Sequence, residues 1–524
     1  MGITCLLPAK LYVSAYEDAR LNYWKIGRRD SVYEDGTGSS PFAGAPVSKR
    51  RPIVGECLRR SAALRKVEYS GMNIQDVVKL AQENELRLIR FLYCDNGGII
   101  RGKTTHTNRL ATRMRTGIGQ TLAMQAFTGV ESLASVEGMG PVGEFRLIPD
   151  PNTFAVLPYV PNAGSMMCDM IRLDGQPWEA CPRSFLKRMS KQLAEQGMRA
   201  EAAVEHEFYL ARAEQGGYVP ADHSLCYSSI GLDEQAEVID SLLETLESQG
   251  ILVELFHTEL GPAQQELSIR HADVLRAADN VCLVRESVRG VARQFGLLAT
   301  FAPKPWLDQA GSGAHIHLSL WNTEEDSYAA KNLFYDAEAR GYLSQTGKYF
   351  IGGVLQHLRG LVALTCGSPN SYRRLQPHYW SSAYGAWGFD NREGAVRVPS
   401  AFWGHEASSM NIELKCSDHS GNPYLAMGAL IAAGLDGIRK QLDPGEPQEI
   451  DPGNYSDEER TQRGIRRLPT TLDEALNELE NDTVLTEALG PLLTSSYLAV
   501  KRAESAFFQD KSPEEEANQH FYKY

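Results

Sequence analysis

Residues 204 to 210 read Val-Glu-His-Glu-Phe-Tyr-Leu, an alternation with the two-residue period of a β-strand. Glu205 and Glu207 therefore share one face, while Val204, Phe208 and Leu210 share the other; His206, on the apolar side, reads as a satisfied core residue. Two further segments repeat this design. In Ala314 to Leu320 the polar face is His315, His317 and Ser319, and in Asn411 to Cys416 it is Asn411, Glu413 and Lys415. A fourth segment, Glu259-Leu-Gly-Pro-Ala-Gln-Gln-Glu266, sets two carboxylates to face one another across a Gly-Pro turn. Each segment alone reads as a half-exposed strand. Together, five glutamates and a histidine without a cysteine suit Mg²⁺ or Mn²⁺ rather than structural zinc, and so much negative charge calls for two or more ions.

Outward from these strands, the chain divides into three parts. Residues 1 to 70 form an N-terminal extension, in which 28 to 52 mix Gly, Ser, Pro and charge without periodicity. Residues 71 to 168 suggest a small β-rich domain: Ile74 to Glu83 has helical spacing, and Leu86 to Tyr93 reads as a strand closed by the turn Asp95-Asn96-Gly97-Gly98. Residues 169 to 524 pair long helices with short strands. Ala272 to Phe295 is a core-facing helix with Gly296 as its cap, since Val274, Ala278, Val281, Val284, Val288, Val291 and Phe295 recur every three or four residues. Residues 97 to 104 match the phosphate-binding pattern G-x-x-x-x-G-K-[ST]. Their context is a turn leading into a second strand, with no helix beginning at Lys103, so the match is taken as accidental.

Composition narrows the function classes. A formal charge of −13 and a pI near 5.5 disfavour a phosphodiester-binding groove, so nucleic acid is not an expected partner. Nine scattered cysteines without a C-x-x-C pair read as reduced thiols in a cytoplasm. Charge interrupts every long apolar stretch well before the ~20 residues a bilayer requires, and neither a signal peptide nor a lipid anchor is read at the N-terminus.

The order and neighbours of the polar strands carry a resemblance. Thr300-Phe-Ala-Pro-Lys-Pro305 precedes Gly311-Ser-Gly-Ala-His315-Ile-His317; Asn370-Ser-Tyr-Arg-Arg-Leu precedes Asn391-Arg392 and Val396-Arg-Val-Pro399; Asn422-Pro-Tyr-Leu-Ala426 follows. From about residue 72 to 510, and most strongly from 200 to 440, the chain resembles glutamine synthetase. The resemblance implies an α+β fold, a β-grasp domain followed by a catalytic domain of antiparallel strands and helices. It implies hexameric rings or a dodecamer, with sites between subunits. It also implies ATP-dependent conversion of glutamate to γ-glutamyl phosphate and ligation to an amine. One ion would rest on Glu207, Glu259 and Glu266, and the other on Glu205, His315 and Glu413. His317 and Ser319 match nucleotide contacts, Arg392 and Arg397 the arginines that neutralise the transferring phosphate, and Gly311 and Arg374 glutamate-binding positions. Arg373 reads as structural. Tyr455 falls near a tyrosine that some relatives modify with AMP.

Departures from that family are equally informative. A flap glutamate that attracts ammonium and receives its proton would fall in Pro377-His378-Tyr379-Trp380, where the chain has an indole instead. A second ammonium-binding stretch, Asp-Gly-Ser-Ser, falls at Phe127-Thr128-Gly129-Val130, and no aspartate occurs between Asp95 and Asp150. Lys415 stands where an arginine grips the substrate carboxylate, and Ala310 replaces an asparagine. Tyr379, Trp380, Tyr384, Trp387, Phe402 and Trp403 crowd this region, so the expected amine is aromatic or bulky and apolar, with Tyr379 and Trp380 in contact with it. Alternatives are an ordinary ammonia-using enzyme, a polyamine ligase, and an inactive scaffold. The last is disfavoured by buried carboxylates that would otherwise lack partners.

Overall fold

The computed structural model describes residues 71–215, 217–323 and 330–524. The extension of residues 1 to 70 lies outside the described residues.

A capping box at Asn73 starts the helix Ile74–Glu83, which turns Val77 and Ala81 into a core shared with Phe91, Phe145, Leu147 and Trp178. That core lies on a six-stranded sheet of β1 (Leu88–Cys94), β2 (Ile100–His106), β3 (Ile118–Thr121), β4 (Glu144–Pro149), β5 (Ala155–Val156) and β6 (Ala163–Arg172). Strand order is β2-β1-β6-β4-β3, with β5 on β6, and β1 and β6 run parallel. The phosphate-loop look-alike is the β1–β2 hairpin. Ile99 N–H donates to Asp95 Oδ1 at 2.9 Å, and Lys103 extends along β2 to donate to the Gly119 carbonyl at 2.7 Å. Gly98 is required here, because it has φ +79° and a Cβ would come within 2.3 Å of the Ser420 carbonyl oxygen.

Eleven strands form the larger sheet: β7 (Met198–Glu214), β8 (Gly217–Pro220), β9 (Val253–Thr258), β10 (Gln264–Ile269), β11 (Ala272–Asp273), β12 (Leu298–Thr300), β13 (Ile316–Asn322), β14 (Tyr384–Phe389), β15 (Gly394–Val398), β16 (Ile412–Leu414) and β17 (Arg466–Arg467). Their order is β17-β14-β15-β16-β13-β7-β10-β9, with β8, β11 and β12 also on β7. The pairings are antiparallel except β14 with β15, which run parallel, so the expectation of antiparallel strands holds with that correction. Val204, Ile316 and Leu414 pack into one core with residues of the helices Val274–Gln294, Gln345–Thr365 and Pro423–Lys440. Covering one face of the sheet this way leaves the other free for charged side chains.

Arg183 knits the two sheets' surroundings together. Its guanidinium donates to both oxygens of Asp279 at 2.9 and 2.8 Å, to Asp169 at 3.0 Å and to Asp150 at 2.9 Å. Asp150 and Asp169 belong to the first sheet's strands and their margins, whereas Asp279 sits in the helix Val274–Gln294. The seven described cysteines are free, and no described helix is long and apolar enough to cross a membrane.

Candidate active site

Strand register assembles the polar face. Glu207 lies opposite Glu266, His317 opposite Glu413, and Glu413 opposite Arg397, so side chains from β10, β7, β13, β16 and β15 converge on one side of the sheet. Two groups of possible metal ligands result. Ligand atoms of Glu205, His315 and Glu413 lie within 4.8 Å of one another, and so do those of His257, Glu259 and Glu266.

The first group is the set implied for one ion. His315 Nδ1 lies 3.0 Å from Glu205 Oε2 and 3.5 Å from Glu413 Oε1, and His317 Nε2 lies 3.1 Å from Glu205 Oε1. Burial alone would push the Glu205 carboxyl up, but hydrogen bonds from His315 and His317 hold it well below the usual carboxylate range. Burial likewise opposes the charge on Glu413, and Lys415 and His317 overcome that to hold its carboxyl low. Glu413 accepts from Arg397 Nη1 at 2.6 Å and from Lys415 Nζ at 3.3 Å. The expectation of unpartnered carboxylates is thus corrected for Glu205 and Glu413, which the protein's own cations balance.

The second group contains a residue outside the set implied for the other ion. Glu259 and Glu266 meet across the turn as read, and His257 joins them as a candidate ligand, with Nε2 3.2 Å from Glu259 and 3.7 Å from Glu266. Glu207 stands between the groups, accepting from the Gly313 N–H at 2.8 Å and lying 3.6 Å from His315 Nε2. Burial and the charges of Glu205, Glu207 and Glu259 push the Glu266 carboxyl up to about 10. Such crowding is relieved by a divalent cation, and oxygen donors joined by imidazole fit Mg²⁺ or Mn²⁺.

Anion-binding groups border these clusters. Arg374 is buried, with Nη2 3.1 Å from His315 Nε2 and donating to the Lys415 carbonyl at 3.2 Å, while Nη1 has no partner among the described residues. Arg397 Nε is buried and unpartnered in the same way. Unsatisfied guanidinium nitrogens suit carboxylate or phosphate oxygens. Gly311 leaves room for Arg374, because a Cβ there would approach Arg374 Cγ to 2.7 Å. Its carbonyl accepts from Gln264 Nε2 at 2.9 Å. Arg392 is exposed beyond β14. The Ser319 hydroxyl accepts the Trp321 indole N–H at 2.9 Å, so a nucleotide would have to share or displace that bond. Arg373 grips Glu516 and lies apart from these groups, and Tyr455 sits under Arg463 at 4.5 Å.

The aromatic residues separate. Trp387 is only 3% exposed, packs on Phe389 and donates to the Gly445 carbonyl at 3.0 Å, so it is core and leaves the amine-facing set. Tyr384 lies beneath Arg460 and Arg467. Trp380 at 62% and Trp403 at 97% remain exposed, as do Tyr379 and Phe402. His378, Trp380 and Ser382 all take positive φ, 65°, 53° and 67°, which non-glycine residues adopt at a cost of about 1–3 kcal/mol each. Strain of this kind marks a flap whose path the surroundings dictate.

His206 also departs from expectation. It is buried and stacks on His419 at 5.1 Å, yet neither ring's nitrogens have a hydrogen-bond partner among the described residues. Burial, aided by the Arg285 charge, brings the His206 pKa down to about 3, so the ring packs as a neutral aromatic.

A family model described as the glutamine synthetase N-terminal domain matches residues 72–178, and one described as the glutamine synthetase catalytic domain matches residues 179–520. A glutamine synthetase of Methanosarcina mazei is 34% identical over 437 residues, 82% of this chain and 93% of its own length. The γ-glutamylpolyamine synthetase GlnA3 of Streptomyces coelicolor is 34% identical over 483 residues, 91% of this chain and 99% of its own. Among solved structures, a novel glutamine synthase homologue superposes with TM-score 0.75 at 32% identity, over 84% of this chain and 99% of that one. The ADP complex of GmaS gives 0.73 at 30% identity, over 84% and 98%.

Proposed function

The chain belongs to the glutamine synthetase family, an ATP-dependent glutamate–amine ligase by that membership, and on this premise we propose that its amine is larger than ammonia and carries an apolar body. The observation that carries the reading is the flap. An exposed Trp380 stands where an acid collects ammonium in the ammonia-using enzymes, with exposed Tyr379 beside it.

The glutamate γ-carboxylate attacks the γ-phosphorus of ATP, ADP departs, and γ-glutamyl phosphate forms. The amine nitrogen then attacks the acyl carbon, a C–N bond replaces the C–O bond, and phosphate leaves. Glu205, His315 and Glu413 would hold one divalent ion, and Glu259 and Glu266 with Glu207 or His257 another. When bound, such ions supply Lewis-acid polarisation of phosphoryl and carboxyl oxygens. Arg374 presents its unpartnered nitrogen to the substrate carboxylate, and Arg397 its own to the transferring phosphoryl group. Lys415, held by Glu413, offers a point charge in place of a guanidinium fork. His317, Ser319 and Arg392 line the nucleotide side. We assign the enzyme to the cytoplasm as a ring of six or a stacked pair of rings, in which residues 71 to 168 complete a neighbour's pocket.

Phosphate release with ATP, glutamate and a panel of ammonia, ethylamine, isopropylamine, putrescine and aniline tests this. An organic amine is expected to exceed ammonia in kcat/KM, and ammonia leading the panel would overturn the proposal. Similarity to the Streptomyces polyamine enzyme over 91% of the chain favours a second reading, for which putrescine would lead.

A further inference from the structure

The turn between β14 and β15 carries a carboxylate that the flap's own sequence lacks. Glu393 is 7% exposed, and its Oε1 accepts the Trp380 backbone N–H at 2.7 Å. No described residue hydrogen-bonds its Oε2. The turn is built to hold it: Asn391 Oδ1 accepts the Glu393 N–H at 3.0 Å, and Asn391 Nδ2 donates to the carbonyls of Gln448 and Ile450 at 2.9 and 3.0 Å. The flap is pinned to the same place. Ser382 Oγ donates to the Gly394 carbonyl at 2.9 Å, and Ser381 Oγ to the Arg374 carbonyl at 2.7 Å.

The charged groups facing Glu393 are Asp451 and His378, joined to each other at 2.6 Å, and Lys415. Lys415 reaches Glu413 of the first metal-ligand group and also bears electrostatically on Glu266 of the second. Glu393 is therefore bound to the flap backbone and lies within electrostatic reach of Lys415, which itself touches the first group. Burial pushes its carboxyl up, with Asp451 adding to this and the Trp380 N–H opposing it, which moves a proton acceptor toward neutral pH.

Resting on the γ-glutamyl-amine ligase reading, we propose that Glu393 takes over the work of the missing flap acid and selects an alkylammonium ion rather than an arylamine. The carboxylate attracts R–NH₃⁺ and removes one proton, giving R–NH₂ and a neutral Glu393. The freed lone pair attacks the acyl carbon of γ-glutamyl phosphate, phosphate leaves with the C–O bonding pair, and the second proton passes to phosphate or water. Both protons and the leaving group are then accounted for. An arylamine, neutral already, needs no proton removed before it attacks and loses its one proton to phosphate or water, so it depends far less on such a group.

The test is the amine panel across pH, with Glu393→Gln and Glu393→Ala. Gln keeps an acceptor for the Trp380 N–H, so it separates flap support from charge. Glu393→Gln is expected to lower kcat/KM for ethylamine and isopropylamine by about 100-fold, the usual range for a lost general base. It should also abolish the acidic limb of the pH profile, leaving the KM for ATP and glutamate and the turnover of aniline within about threefold. Equal losses on every amine would make Glu393 a structural support only, and an unchanged alkylamine profile would remove it from the reaction; either overturns the proposal. Wild-type preference for aniline at neutral pH overturns it too. If ammonia leads the panel, the substrate reading fails separately, and Glu393→Gln on ammonia still decides the carboxylate's role. A chain that turns over no amine sinks both.

Discussion

On the proposed reading, specificity turns on Trp380 and metal affinity on Glu205. Replacing the indole by Trp380→Glu restores an acid to the flap, and kcat/KM for ammonia relative to ethylamine should rise about tenfold, the effect of roughly 1.4 kcal/mol in differential transition-state binding. Glu205 accepts from two imidazoles, so Glu205→Gln removes a ligand and frees His315 and His317 together. Mn²⁺ affinity measured by calorimetry should fall by more than the 10–100-fold that loss of an outer partner costs. The glutamates were legible beforehand because alternation within a single strand shows them. His257 and Glu393 were not: His257 gains its place from the β9–β10 register, which sets it opposite Glu266, and Glu393 from its bond to the flap backbone. A faint signal exists for His257, two residues before Glu259 on an alternating strand. Nothing comparable flags Glu393.

Within the strand pair β7 and β10, the crowded carboxylates make stability depend on pH and on metal. The Glu266 carboxyl, pushed up to about 10, holds a proton in the fold that an unfolded chain releases near the usual glutamate range. Its contribution is complete below that range and is lost as pH rises toward the folded value. Glu205 and Glu413 run oppositely, with stability present above the usual range and lost only in acid. The melting temperature of chelator-treated protein should therefore fall between about pH 6 and about pH 9. Glu266→Gln should flatten that slope, and so should Mg²⁺ or Mn²⁺, which replaces the proton and raises Tm by mass action. A chelated protein with no slope would show that the carboxylates do not share one field. Elements themselves were read closely where periodicity was strong. Ile74–Glu83 matches its helix residue for residue, and the long helix runs Val274–Gln294 against a reading of 272 to 295. The first strand is Leu88–Cys94 rather than 86 to 93, because Glu85 takes a left-handed turn at φ 53° and delays pairing. The aromatic cluster divided because sequence proximity does not tell a core tryptophan from an exposed one.

Across the molecule, Arg183 is the joint between the first sheet and the helix Val274–Gln294. Arg183→Met would leave buried Asp279 and neighbouring Asp150 without their cation, while Asp169 keeps Lys187, at a cost of about 3–5 kcal/mol. Thermal unfolding should drop accordingly, and a separate low-temperature transition of the first sheet would locate the failure there. A shift below about 0.5 kcal/mol would mean that water replaces the guanidinium. Strand β7 imposes a different constraint, because it pairs with β8, β10, β11, β12 and β13 and carries Glu205 and Glu207 on the polar side of the sheet. Inserting or deleting one amino acid between Met198 and Glu214 would invert every side chain beyond the edit, driving acids into oil and hydrocarbon into water. Length is accordingly fixed along this stretch, which acts as the ruler against which the facing strands set their own side chains.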